Sequence, residues 1–226
     1  MNNSILNISG RLTADPKVNE KVATFNLAVT KNYKDAQVEW IKKVQYINNC
    51  ACFDSNKVSE LKKGDLVLCY GKMSNSSYTK EDKTIYKTDI IFNQILKINE
   101  SSENKVRTSL NINKVNAIGR LGNKPRRISE NAVSFDIAIN TFYKNEQHTD
   151  WINVVSFNKN ADNSEKVLSI GDLISISGEY QMSKDGKQGS VILRSFQKYA
   201  SNSNSDSDSE TDQSFEENTE TDIIPF

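Results

Sequence analysis

Two stretches of the chain alternate apolar and polar positions with a period of two, and each sits in the same series of neighbours. Ala23-Thr-Phe25-Asn-Leu27-Ala-Val29 and Val133-Ser-Phe135-Asp-Ile137-Ala-Ile139 put their larger apolar side chains on one face of a strand, so Phe25 and Phe135 are expected in a core. Ahead of each lies another alternating strand, Ile5 to Leu12 and Lys114 to Leu121, in which Gly10-Arg11-Leu12 matches Gly119-Arg120-Leu121. Pro16 and Pro125 follow. After each comes a ring-rich stretch, Tyr33 to Phe53 and Phe142 to Phe157, read as two strands and a hairpin, with Tyr46-Ile47-Asn48 answering Trp151-Ile152-Asn153. Both copies then reach an L-x-x-G-D-L motif (Leu61 to Leu66; Leu168 to Leu173) through a short segment that fits a brief helix stopped by glycine. A strand ending in glycine (Leu66 to Gly71; Leu173 to Gly178), a hairpin and a last strand (Tyr86 to Ile98; Ser190 to Tyr199) complete each copy.

Landmarks repeated in one order at offsets of 105 to 110 positions indicate a tandem duplication. The order strand, strand, strand, short helix, strand, strand is that of a small closed five-stranded barrel of the OB type, with a small β-sandwich as the alternative. The absence of long helical periodicity argues against a βαβ sheet or a bundle. The expected organisation is all-β: a first barrel at 1–99, a Ser/Glu/Asn-rich linker at 100–110, a second barrel at 111–200 and a tail at 201–226.

Charge changes this picture at one end. The chain has 29 basic and 29 acidic residues, but eight of the acids fall after Ser201, where there is no Lys or Arg. That tail is expected to be disordered, and the preceding 200 residues are left with a net charge of +8, which suits a polyanionic partner. Three cysteines, Cys50, Cys52 and Cys69, with one distant histidine, His148, cannot make a four-ligand zinc site; they read as reduced core residues. No long apolar run or leader pattern is present, so a cytoplasmic, non-membrane protein is expected.

The candidate chemistry lies in the ring-rich stretches. Tyr33, Trp40 and Tyr46 are interleaved with Lys31, Lys34, Lys42 and Lys43, a pattern suited to stacked bases and phosphates of an unpaired strand. Lys72 and Lys144 join the candidate phosphate ligands, with Arg126 and Arg127 as outliers. No catalytic residues are expected: there is no nucleophile with a base, no phosphate loop and no carboxylate pair at metal spacing, and no cofactor is implied. The rival binding functions are an RNA-directed OB module and a protein adaptor.

These motifs resemble the bacterial single-stranded DNA-binding proteins. The resemblance rests on N-I-S-G-R-L, A-T-F-N-L-A-V-T-K-N-Y and L-K-K-G-D-L-V-L-C-Y-G-K in the first copy, and on N-A-I-G-R-L, D-W-I-N-V-V-S-F-N-K and L-S-I-G-D-L-I-S-I-S-G-E in the second. The end of the sequence, T-D-I-I-P-F, resembles the tip by which that family recruits partners. The resemblance implies a variant with two OB folds per chain that forms a homodimer of four folds. It implies sequence-nonspecific binding and protection of single-stranded DNA in replication, recombination and repair, in a nucleoid-associated cytoplasmic setting. It places stacking rings at Tyr33 and Tyr143, at Tyr46 and Trp151, at Phe157 with either Cys52 or Phe53 as its counterpart, and at Tyr78. Replication and repair proteins would engage Asp222, Ile223, Ile224, Pro225 and Phe226. The second hairpin, 181–187, has no ring and could serve the DNA or the dimer contact.

Overall fold

The computed structural model describes residues 3–34, 40–80, 83–98, 111–143, 146–184, 186 and 188–200. The first copy forms β1 (Asn3–Leu12), β2 (Lys17–Val18), β3 (Ala23–Lys34), β4 (Trp40–Cys52), β5 (Leu66–Lys80) and β6 (Lys83–Lys97). The second forms β7 (Asn113–Leu121), β8 (Arg126–Ser129), β9 (Ala132–Tyr143), β10 (Glu146–Phe157), α1 (Lys159–Val167), β11 (Leu173–Met182) and β12 (Gly189–Ala200). Pairing closes β1-β3-β4-β6-β5 back on β1, and β7-β9-β10-β12-β11 back on β7. In each circuit one contact, β4 with β6 or β10 with β12, is parallel and the rest are antiparallel. These are two five-stranded OB-type barrels in tandem. The two-residue-period faces fill them: Phe25, Leu27, Val29, Ile47 and Phe92 in one, Phe135, Ile137, Ile139, Ile152 and Val154 in the other. Phe25 stacks on Phe92 with centroids 5.9 Å apart. Cys50, Cys52 and Cys69 are free and buried in the first core, where burial pushes the Cys50 and Cys69 thiols upward in pKa and keeps them protonated.

The glycines thought to end the fourth strands do not end them. β5 runs nine residues past Gly71 and β11 four past Gly178, and both ladders shift register at that glycine, between Tyr70 and Gly71 and between Ser177 and Gly178. A bulge there bends the strand from barrel wall into projecting arm. Only glycine fits, because a Cβ on Gly71 would lie 2.1 Å from the Ile91 carbonyl oxygen, and one on Gly178 2.4 Å from that of Ile192.

The helices also differ from expectation. The second copy has a nine-residue α1, but the first has only a 3-10 turn at Ser55–Lys57. The second helix is tied down: Ser164 Oγ lies 3.0 Å from Ser156 Oγ, and Arg127 on β8 reaches Glu165 and Asp162. The first copy has Val18 where the second has Arg127, so this clamp is missing. Gly64 and Gly171, at φ +90° and +87°, act one turn later, in the tight turns Lys62–Asp65 and Ser169–Asp172. Asp65 and Asp172 cap those turns from within, accepting hydrogen bonds from Lys62 N and Ser169 N.

The barrels are joined edge to edge by β1 and β7, paired antiparallel from Asn3 opposite Ile118 to Ile8 opposite Asn113. Leu6 faces Val115, its own counterpart 109 positions on, so a pseudo-twofold axis passes between them. The contact has the isologous form of a symmetric dimer, built inside one chain. Side chains add to the junction: Gln45 Nε2 of the first barrel donates to Tyr180 O of the second at 3.0 Å, and Ser74 Oγ donates to Asp150 Oδ1 at 3.0 Å.

Candidate nucleic-acid interface

On each barrel the first site face is the outer side of a β-ribbon. In the second barrel Trp151 stands opposite Ala138 and Phe157 opposite Ala132, while the alternate residues Ile152, Val154 and Ser156 point inward. Trp151 is 47% and Phe157 46% exposed. They are six positions apart on one strand, about 20 Å. The Trp151 ring lies on the backbone of Gly122, where a Cβ would come within 2.1 Å of it. Between the two rings, Asn153 donates to Asp136 and to Ser134, and Asn123 donates to the other Asp136 oxygen. This network fixes the floor of the face in one arrangement.

The first barrel repeats the design with one change. Tyr46 stands opposite Ala28, as Trp151 does opposite Ala138, and it is 61% exposed. The ladder then slips between Phe25 and Leu27, where β4 holds one extra residue. Past this bulge Cys52 pairs with Ala23, as Ser156 pairs with Val133, so Phe53 takes the place of Phe157. Phe53 is 66% exposed and Cys52 is fully buried. The extra residue shifts every later side chain by one face, which the local pattern around Asn48 and Asn49 does not reveal.

Other candidates fall on a different side. Lys31 stands opposite Lys43 and Tyr33 opposite Ile41, out of phase with Tyr46, Val44 and Lys42. Tyr143 is paired with Glu146, and Lys34 with Trp40, at the far ends of the two ribbons. Lys42 and Lys43 are exposed and Lys72 is half-buried. The side chains of Tyr33, Lys34, Trp40, Tyr78 and Tyr143, all of Lys144, the linker and the tail with Asp222 to Phe226 lie outside the described residues.

Two basic candidates are engaged within the protein. Arg127 spends its guanidinium on Glu165, Asp162 and the Glu130 carbonyl. Lys31 pairs with Glu179 of the second barrel. The second hairpin folds back on the first barrel of the same chain: Gly189 N donates to Thr88 Oγ1 at 3.1 Å, and Gly186 sits over Asn48. Among the described residues no cluster of His, Cys, Asp or Glu could hold a metal, and no helix is long and apolar enough to cross a membrane.

Comparison with known proteins agrees with this architecture. A single-stranded DNA-binding protein of Thermus aquaticus superposes with a TM-score of 0.70 over 91% of this chain and 97% of its own, at 16% identity, which establishes a common fold. Among curated proteins, a single-stranded DNA-binding protein of Deinococcus radiodurans is 33% identical over 33% of this chain and 27% of its own length. The Single-stranded DNA-binding protein 2 of Staphylococcus aureus is 36% identical over 36% of this chain and 65% of its own. The chain thus spans less than two thirds of these relatives' length. The Single-strand binding protein family profile matches residues 1–98 and 112–205, once on each barrel. With both copies matched and the fold shared, this chain belongs to the Single-strand binding protein family.

Proposed function

We propose that the chain binds and protects single-stranded DNA without sequence preference, in replication, recombination and repair. The observation that carries this is the matched pair of exposed ring rows, Tyr46 with Phe53 and Trp151 with Phe157, at corresponding positions of two barrels whose body has a net charge of +8. Stacking uses the flat face that every base has, so it tolerates any sequence. A binding role without catalysis is consistent with family membership. Titration with poly-dT against intrinsic tryptophan fluorescence should show quenching, with log affinity falling by about 0.7 per decade of salt for each phosphate contacted. Binding that ignores salt would sink the proposal, and stronger competition by poly-U than by poly-dT would turn it toward RNA.

Two further assignments belong to the same reading. The first is a homodimer of four barrels. It is supported by the outer sheet face beside the pseudo-dyad, where Ile5 is 47% exposed, Asn7 Oδ1 is buried without a partner, and a groove of about 440 Å³ runs between Ile5, Ile118 and Phe196. The mass of the free protein, measured beside the titration, tests it. The second is partner recruitment through Asp222 to Phe226, the apolar tip of an acidic run. Deleting these five residues should remove capture of replication and repair proteins and leave poly-dT affinity intact; loss of DNA binding instead would overturn this division of labour.

A further inference from the structure

Lys31 and Arg194 converge on one carboxylate at the junction of the two barrels. Lys31, on β3, ion-pairs with Glu179 Oε2, and Arg194, on β12, donates from Nε to Glu179 Oε1 at 2.9 Å. The two cations face solvent, with side chains 46% and 58% exposed, while the carboxylate beneath them is 24% exposed. Burial alone would raise the Glu179 pKa, but the hydrogen bonds from Lys31 and Arg194 outweigh it and hold the carboxyl below its usual range, so it is ionised at neutral pH.

The repeat makes this carboxylate stand out. Gly71 corresponds to Gly178, so Glu179 occupies the position that Lys72 holds in the first barrel. One copy thus carries a cation, and the other an anion, on a body that is otherwise basic. Lys31 also stands directly opposite Lys43 in the β3–β4 ladder, a like-charge pair whose repulsion a nearby anion relieves. An ammonium and a guanidinium gathered around two oxygens are the donors that hold a phosphate.

Building on the single-strand reading above, we propose that Lys31 and Arg194 form a phosphate site at the crossing between the barrels, and that Glu179 fills it until a strand spanning both barrels displaces the carboxylate. Protein and nucleic acid then compete for the same two cations, so the carboxylate lowers affinity for strands that span the junction. It leaves those confined to one barrel untouched.

The test is titration of the full chain and of Glu179→Gln, Lys31→Met and Arg194→Met with poly-dT over a range of salt, with melting curves in parallel. Glu179→Gln should bind about fivefold more tightly, the size of one exposed ion pair released, with a salt slope steeper by about 0.7 per phosphate gained. Lys31→Met should bind more weakly. A plain strut between the barrels would move Glu179→Gln and Lys31→Met in the same direction, and an unchanged or weaker Glu179→Gln overturns the proposal. If Glu179→Gln melts below the parent, Arg194→Met decides: weaker binding supports the site and unchanged binding overturns it. Absence of poly-dT binding by the parent chain would instead bring down the single-strand reading itself.

Discussion

Replacing Trp151 by alanine is expected to weaken poly-dT binding by about 1 to 3 kcal/mol, the range for loss of one base stack. Nearly half of Trp151 is open to solvent, and its ring packs on Gly122. Stability should change by only about 1 kcal/mol, since the ring buries about half of what a core aromatic buries. Phe53→Ala should act in the same direction from the first barrel, whereas Cys52→Ala should lower melting and leave affinity unaltered. That contrast separates two adjacent residues by the face they occupy. The losses will not sum, because rings along one bound strand act together. If Trp151→Ala binds poly-dT as tightly as the parent, the ring is only covering the barrel and the outer faces are not the binding surface.

Gly71→Ala should destabilise the first barrel by about 3 kcal/mol, at the upper end for overpacking. The added Cβ would meet the Ile91 carbonyl oxygen at 2.1 Å and the Phe92 Cα at 2.8 Å, both backbone atoms that cannot rotate away. Relief requires undoing the bulge that turns β5 from wall to arm. Gly64→Ala is the control: its φ of +90° is costly for alanine, but no atom stands within 4 Å of the new Cβ, so a loss nearer about 1 kcal/mol is expected. Urea unfolding of the two variants would show this, with the Gly71→Ala midpoint falling well below that of Gly64→Ala. Similar midpoints would mean that the bulge yields easily and that glycine serves only its own backbone freedom.

Much of this fold is readable along the chain because its signals are local. The alternation of Phe25, Leu27 and Val29 names a buried face from five residues, and the recurrence of Gly-Arg-Leu and Leu-x-x-Gly-Asp-Leu exposes the duplication without knowledge of any contact. Tyr46, Trp151 and Phe157 are reached through motifs that resemble a known family, and all three are exposed. Where the structure departs from the local pattern, a distant partner is involved. The fourth strands pass through Gly71 and Gly178, where a carbonyl of the neighbouring strand leaves no room for a Cβ, and the helix that forms fully is the one in the second copy, which Arg127 ties down from a separate strand.

The ring-rich stretch shows the division most clearly. By itself the sequence determined that Tyr33 to Phe53 is a ribbon of rings and lysines and that it has a second copy. Only the tertiary structure decided that Phe53 rather than Cys52 is exposed and that Lys31 is tied to a carboxylate 148 residues away. A period of two fixes which residues share a face, but one bulge reverses that assignment for everything beyond it. An ion pair between barrels depends on how their edges meet, and no local pattern encodes that.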